Sequence, residues 1–352
     1  MKENSALTYK EIYGQPASFA AINATLPEIE KTLDTVFAQQ WDELIFTGCG
    51  TSLYLAQAAA FAFSSCCRIP AKGVPCSELL FFPEAFAGNG RKVLVLPITR
   101  KSYTTEVRMA IDKIHTVPGV KTLAITCDAD SSKYNDYMIL SPETAEDSVI
   151  MTRSFTSMVY LSTVLALYAA GKKDEVKAMA AGYPEMAAEM LRDADDTARR
   201  LLDTHRDLNL FITLGQGVNY GIANECMNKM KEMGIANSEA YYSLEYRHGP
   251  MSLVDEHTLI VLLANDASTE YDEKLLEQMR TYGAVTMAVG ENAKARFPGC
   301  DAYLDYHYGR DTLQYAAVIG LVGQMLGYHI ARIKGIDADS PRHLTQAIVL
   351  EK

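Results

Sequence analysis

Residues 44–52 read Leu44-Ile-Phe-Thr-Gly-Cys-Gly-Thr-Ser52, a short apolar run that ends in a Gly-x-Gly turn. An alanine-rich helical segment, Leu53–Phe63, follows. The arrangement returns at Leu210-Phe-Ile-Thr-Leu-Gly-Gln-Gly-Val-Asn219, with a helix expected from about Ile222. Gly48 and Gly215 stand 167 residues apart. Lys92-Val-Leu-Val-Leu-Pro-Ile-Thr99 matches Thr258-Leu-Ile-Val-Leu-Leu-Ala-Asn265 at an offset of 166, and Thr122-Leu-Ala-Ile-Thr-Cys127 matches Val285-Thr-Met-Ala-Val-Gly290 at 163. Chance can supply one such match. Three in the same order at nearly the same distance indicate a duplicated α/β domain.

Apolar runs of this length, alternating with longer helical patterns, read as buried parallel strands. Each half is therefore expected to be a parallel sheet with helices on both faces. Right-handed crossovers bring the loops after successive strands to one edge, where ligands bind. The expected organisation is a helical N-terminal extension over 1–40, a first domain over 41–175, a helical connector over 176–205, a second domain over 206–340, and a tail over 341–352 that closes on the active site. Leu26, Ile29, Leu33 and Val36 give the extension its helical spacing.

The bulk numbers narrow the class. The chain has 352 residues, 48% of them apolar and 22% charged, which suits two well-packed globular domains. A net charge of −11 argues against nucleic acid or an acidic membrane as the main partner, but leaves room for a small anion in a locally basic pocket. Seven cysteines, Cys49, Cys66, Cys67, Cys76, Cys127, Cys226 and Cys300, form no Cys-x-x-Cys motif, and their odd number suits a reducing cytoplasm. No zinc spacing appears, the seven histidines are dispersed, and no metal or cofactor is called for. The N-terminus lacks an apolar signal core, and the apolar segment Ser157–Ala170 is too short and too interrupted to span a bilayer.

Several segments carry candidate chemistry. Gly48-Cys49-Gly50-Thr51-Ser52 offers backbone amides at a helix start, with two hydroxyls, to an anion. The plainer reading is an ordinary strand-to-helix turn. Thr99-Arg100-Lys101-Ser102, with Thr104 beyond it, presents hydroxyls and two cations suited to a tetrahedral oxyanion. A surface loop with capping hydroxyls is its rival reading. Ser148–Ser157 is hydroxyl-rich too, and capping explains it adequately. The block from Glu225 to Pro250 places Glu225, Lys229, Lys231 and Glu232 on one helix and ends Arg247-His248-Gly-Pro250. Glu232 has the chemistry to move a proton between carbons 1 and 2 of an open-chain sugar, and His248 the chemistry to open the ring. A solvated charged helix and a structural histidine are the plainer readings.

The chain resembles the sugar isomerase (SIS) family in its double-domain form, as in the isomerase domain of glucosamine-6-phosphate synthase. The resemblance covers roughly residues 20–352. It rests on Gly48–Ser52, the segment ending at Glu106, the 225–250 block, and Ser340-Pro-Arg-His-Leu-Thr-Gln-Ala-Ile-Val-Leu-Glu351. It implies two tandem domains, each with a five-stranded parallel sheet, and a homodimer whose active sites are shared between subunits. It puts the proton-transfer glutamate at Glu232, a neighbouring lysine at Lys229, and the ring-opening histidine, donated to the partner, at His248. Substrate contacts would fall on Thr51, Ser52, Thr104, Val149 and Glu225.

Three departures from the family pattern stand out. No glutaminase segment precedes residue 40, which sets the expectation against glutamine-dependent amination. Gln346 stands where the synthase has a lysine for the ketose carbonyl. Arg100-Lys101 replaces a neutral phosphate loop. The expected activity is aldose–ketose isomerisation of a hexose with an anion on carbon 6, either a 6-phosphate or a 6-sulfonate such as sulfoquinovose. The alternatives are an amino-sugar-phosphate deaminase or fructosamine-phosphate deglycase, and a non-catalytic phosphosugar sensor.

Overall fold

The computed structural model describes residues 5–350. The chain divides into two compact units. The first-sheet unit comprises Gly14–Asp147, Met151–Pro184 and the chain end from Thr345. The second-sheet unit comprises Glu185–Leu344, the N-terminal segment through Tyr13, and Ser148–Ile150.

In the first-sheet unit, β1 (Glu43–Gly48), β2 (Ala71–Pro75), β3 (Val93–Thr99), β4 (Val120–Thr126) and β5 (Tyr137–Leu140) form one sheet in the order β2-β1-β3-β4-β5. Every pairing is parallel. In the second-sheet unit, β6 (Leu210–Gly215), β7 (Asn237–Tyr241), β8 (Thr258–Leu263), β9 (Val285–Glu291) and β10 (Ala302–Tyr306) lie in the order β10-β9-β8-β6-β7, again all parallel. This is the same order read from the other edge, so the duplication seen in the sequence is a duplication of topology. The architecture is α/β, two tandem domains with a five-stranded parallel sheet each.

The central strands β1, β3, β6 and β8 are buried along their whole length, as strands covered by helices on both faces must be. Strand order reverses direction between β1 and β3, and between β6 and β8. A parallel sheet binds ligands beyond the carboxyl ends of its strands at such a point. Gly48 ends β1 and Thr99 ends β3, so two of the sequence candidates flank the first switch point.

The helices begin earlier than the sequence reading expects. They run Thr51–Cys66 and Val218–Gly234, each starting directly after a glycine at positive φ, Gly50 at 55° and Gly217 at 60°. The preceding glycines fit equally tight corners. A Cβ on Gly48 would lie 2.5 Å from the Ser52 Cβ, and one on Gly215 would lie 2.4 Å from the Asn219 carbonyl oxygen. No larger residue can make either turn without moving the helix.

Each core follows from its helical stripes. In the first-sheet unit, Val107, Ala110, Ile111 and Ile114 of the helix Thr105–Ile114 pack with Ile45, Val74, Val93 and Val95. Ile29, Leu33 and Val36 of the helix Gln15–Phe37 are buried, while Leu26 is half-buried. In the second-sheet unit, Leu275, Leu276 and Met279 pack with Leu210, Ile212, Ile260 and Leu262.

The helix Thr312–Lys334 is long and apolar enough to cross a membrane, yet 83% of its apolar window is buried inside the fold. It packs closely on Val218–Gly234. A Cβ on Gly323 would come within 2.4 Å of the Cys226 Cα, and one on Gly327 within 2.6 Å of the Lys229 carbonyl oxygen. It is a core helix, as is the one that holds Ser157–Ala170. That segment lies within Arg153–Ala169, whose residues Ser154–Tyr168 are all buried.

Candidate active site

The first group of candidate residues opens the helix after β1. Thr51 and Ser52 occupy its first turn and are buried. Cys49 is half-buried, and Gly50 faces open space, with no atom within 4 Å of where a Cβ would stand. The backbone here is already shaped: Ser52 N donates to the Cys49 carbonyl at 3.1 Å and Leu53 N to Gly50 at 2.9 Å.

The loop after β3 is organised differently from its sequence reading. Arg100 does not project outward. It is buried, and its Nη1 lies 3.1 Å from Glu146 Oε1, while its Nη2 donates to the Gln346 carbonyl at 2.9 Å. Glu146 is itself fully enclosed and accepts from Thr152 N, Ser154 N and Ser154 Oγ at 2.8–3.1 Å. A guanidinium desolvated to this degree needs a carboxylate beside it, and Glu146 is that carboxylate. Arg100 thereby anchors the loop, the start of the Arg153–Ala169 helix and the chain end together within the first-sheet unit.

The loop hydroxyls also turn inward. Thr99 Oγ1 and Thr104 Oγ1 donate to the Lys101 carbonyl at 2.8 and 3.3 Å. Ser102 gives both its amide and its hydroxyl to Asp128 Oδ2, at 2.9 and 2.7 Å. Burial pushes the Asp128 carboxyl up, but the two Ser102 donors, the Asp130 amide and the Lys101 charge hold it below the ordinary value. Lys101 itself is half-exposed and is the cation of this loop nearest to solvent.

In the second-sheet unit, the helix Val218–Gly234 carries Glu225, Lys229 and Glu232 on one face, as spacings of four and three residues dictate. Lys229 Nζ lies 3.2 Å from Glu225 Oε1 and also bonds Glu232 Oε2. Glu225 and Lys229 are fully buried, whereas the Glu232 side chain keeps 22% of its surface. Burial alone would pull the Lys229 ammonium down. The two carboxylates outweigh it and hold the pKa above the usual lysine value. The arrangement aims one partly accessible carboxylate outward, backed by a fixed ammonium and a second, buried carboxylate.

His248 caps a short 3-10 turn, Glu245–Arg247, and its side chain is exposed. Val149 belongs to the short insert Ser148–Ile150 of the second-sheet unit, where the Ser148 amide is shared between both carboxylate oxygens of Glu11. Gln346 belongs to the first-sheet unit, where its side-chain amide donates to the Asp147 carbonyl. Residues 351–352 of the tail lie outside the described residues. Among the described residues, no group of three or more His, Cys, Asp or Glu side chains is placed to hold a metal ion.

Two neighbours of the candidate loops carry no mark of their role in the local sequence. Glu146 sits 46 residues from Arg100 and carries no local motif. Asp128 follows β4 at the same sheet edge as the candidate loops, and that position was a usable signal.

The SIS domain family matches residues 38–168 and 209–332, one match on each sheet, and the chain belongs to that family. It is 24% identical to the isomerizing glutamine–fructose-6-phosphate aminotransferase of Clostridium acetobutylicum, over 98% of this chain and 56% of that protein. The chain thus spans little more than half the length of this relative. Among solved structures it resembles glucosamine-6-phosphate deaminase of Thermotoga maritima, with TM-score 0.82 and 26% identity over 98% of this chain and all of that one. It also shares the fold of tagatose-6-phosphate ketose/aldose isomerase of Escherichia coli, with TM-score 0.74 and 21% identity over 99% and 96% of the two chains.

Proposed function

We propose that the chain is an aldose–ketose isomerase acting on a hexose 6-phosphate. The observation that carries this reading is the Glu225–Lys229–Glu232 cluster, in which only Glu232 meets solvent. An aldose becomes a ketose when one base removes the proton from carbon 2 and returns it to carbon 1 of a cis-enediol. A single positioned carboxylate can do both. Glu232 takes that role. Lys229 holds its carboxylate in place and offsets charge that develops beside it. His248 opens the sugar ring. Its exposure suits a group donated to a second copy of the chain, so the working form is assigned as a homodimer in the reducing cytoplasm.

The carbon 6 anion is assigned to the loop after β3 and to Thr51 and Ser52. Phosphate is favoured over sulfonate for a structural reason. The case for a sulfonate such as sulfoquinovose rests on a pair of cations, and Arg100 is committed to Glu146, which leaves Lys101. The relatives named above also act, by their names, on 6-phosphates.

Deamination of an amino-sugar 6-phosphate is the second reading, favoured by the likeness to the Thermotoga maritima deaminase. The test is to incubate the full chain separately with fructose 6-phosphate, tagatose 6-phosphate, glucosamine 6-phosphate and sulfoquinovose, following ketose and aldose by NMR and ammonia by a coupled assay. Interconversion of a 6-phosphosugar without ammonia supports the isomerase. Ammonia release selects the deaminase, and turnover of sulfoquinovose alone rejects the phosphate assignment.

A further inference from the structure

The paired strands β1 and β2 bring two cysteines side by side at the mouth of the glycine turn. Their register runs Thr47↔Val74 and Gly48↔Pro75. Cys49 is the first residue past β1, and Cys76 is the first past β2, where the helix Cys76–Phe81 begins. The last paired residues, Gly48 and Pro75, lie on neighbouring strands about 4.7–4.9 Å apart, so the cysteines that follow them start out near the roughly 4.4–6.8 Å Cα separation a disulfide needs. Thr47 of β1 donates to Cys76 Sγ at 3.4 Å, and the Cys49 and Cys76 thiols lie close enough to perturb each other's titration. Cys76 is buried in the core beside Val74 and Leu79, and half-buried Cys49 packs against that cluster. Both thiols are free.

We propose that Cys49 and Cys76 are an oxidation-sensitive pair that closes to a disulfide and thereby disables the glycine turn opening the Thr51–Cys66 helix. The neighbouring Cys49 thiol and the Thr47 hydroxyl favour the thiolate at Cys76 against its burial, and proximity to Cys76 raises the Cys49 thiol. Cys49 is the sulfur nearer to solvent. Hydrogen peroxide takes it to the sulfenic acid as its proton passes to Cys76 and then to the departing hydroxide, which leaves as water. The Cys76 thiolate then attacks the Cys49 sulfur and expels hydroxide, which takes up from solvent the proton that Cys76 had released and leaves as the second water. Two thiols and one peroxide become one disulfide and two waters. The new bond draws the Cβ atoms to about 3.5–4.5 Å. Cys49 is the middle residue of Gly48-Cys49-Gly50, and its carbonyl accepts from Ser52 N, so that displacement re-aims the first turn of the helix.

The loss of ligand binding rests on the reading of this turn as part of the anion site, whereas the disulfide does not. The test is peroxide treatment of the full-length chain under native conditions, followed by non-reducing peptide mapping and calorimetric titration with fructose 6-phosphate. The expected result is a Cys49–Cys76 cross-linked peptide and binding weakened on the order of tenfold or more, both reversed by dithiothreitol. Cys76→Ser, with Cys76→Ala as a second variant, binds as the reduced protein does and no longer responds. Absence of the cross-link, or equal binding by reduced and oxidised protein, overturns the proposal. A reduced protein that binds no 6-phosphosugar rejects the functional reading instead, and the peptide map then decides the thiol pair by itself.

Discussion

Lys229 Nζ lies 3.2 Å from Glu225 Oε1 with both side chains fully buried. An ion pair this enclosed adds little net stability compared with an apolar pair of similar shape, because both charges lose their hydration. Its place in the fold is explained by what it holds. Lys229 also bonds Glu232, the one member of the cluster that meets solvent. The ammonium positions the carboxylate assigned to proton transfer.

Replacing Lys229 with Met leaves Glu225 buried without its counter-charge. Such a break costs about 3–5 kcal/mol, so the urea midpoint should fall clearly in equilibrium unfolding. Adding Glu225→Leu to Lys229→Met should recover most of that stability without restoring turnover. Recovery of both would reduce the pair to a structural one.

Arg100 and Lys101 are neighbours with different expected phenotypes. Arg100→Met strands the enclosed Glu146 carboxylate and should destabilise by about 3–5 kcal/mol. Lys101→Ala sits at a half-exposed site and should change stability by no more than about 0.5 kcal/mol. It should nevertheless weaken fructose 6-phosphate binding by about tenfold, the loss of one charge-assisted hydrogen bond. Urea unfolding and calorimetric titration of the two variants separate these outcomes.

Acid sensitivity should have an identifiable source in the second-sheet unit. Asp195 accepts from Tyr9 at 2.7 Å, from Tyr13 at 2.5 Å and from His329 Nε2 at 2.5 Å. Burial pushes its pKa up, but these donors prevail and hold it down to about 2. The folded state thus binds this proton less readily than the unfolded chain, where an aspartate titrates near about 3.9. The contribution is complete above that value and is lost as pH falls towards about 2. Asp195→Asn should lower stability at neutral pH and flatten its decline between about pH 4 and 2, as read by urea unfolding across that range.

How much of this was legible in the sequence depends on the range of each interaction. The turns at Gly48 and Gly215 declare themselves because no other residue fits so close to the fourth residue ahead, and they carried the duplicated topology with them. Glu225, Lys229 and Glu232 were legible because helical spacing alone puts them on one face. Arg100 was not. Its neighbours in sequence suggested an outward cation, and only the fold brings Glu146 to it. Ser102 followed the same pattern, its donors going to Asp128 at the end of the adjacent strand. The close approach of Thr312–Lys334 to Val218–Gly234, allowed by Gly323 and Gly327, is a tertiary contact that no local pattern announces.

The central claim is that Glu232 carries the proton between carbons 1 and 2. It is tested most directly by Glu232→Gln in deuterated water, following hydrogen exchange at carbon 2 of glucose 6-phosphate or carbon 1 of fructose 6-phosphate by NMR. The account predicts that the variant folds and binds the sugar while exchange falls by at least about a hundredfold, the lower end of what a general base contributes. Exchange at the parent rate by a folded, ligand-binding Glu232→Gln protein would contradict it.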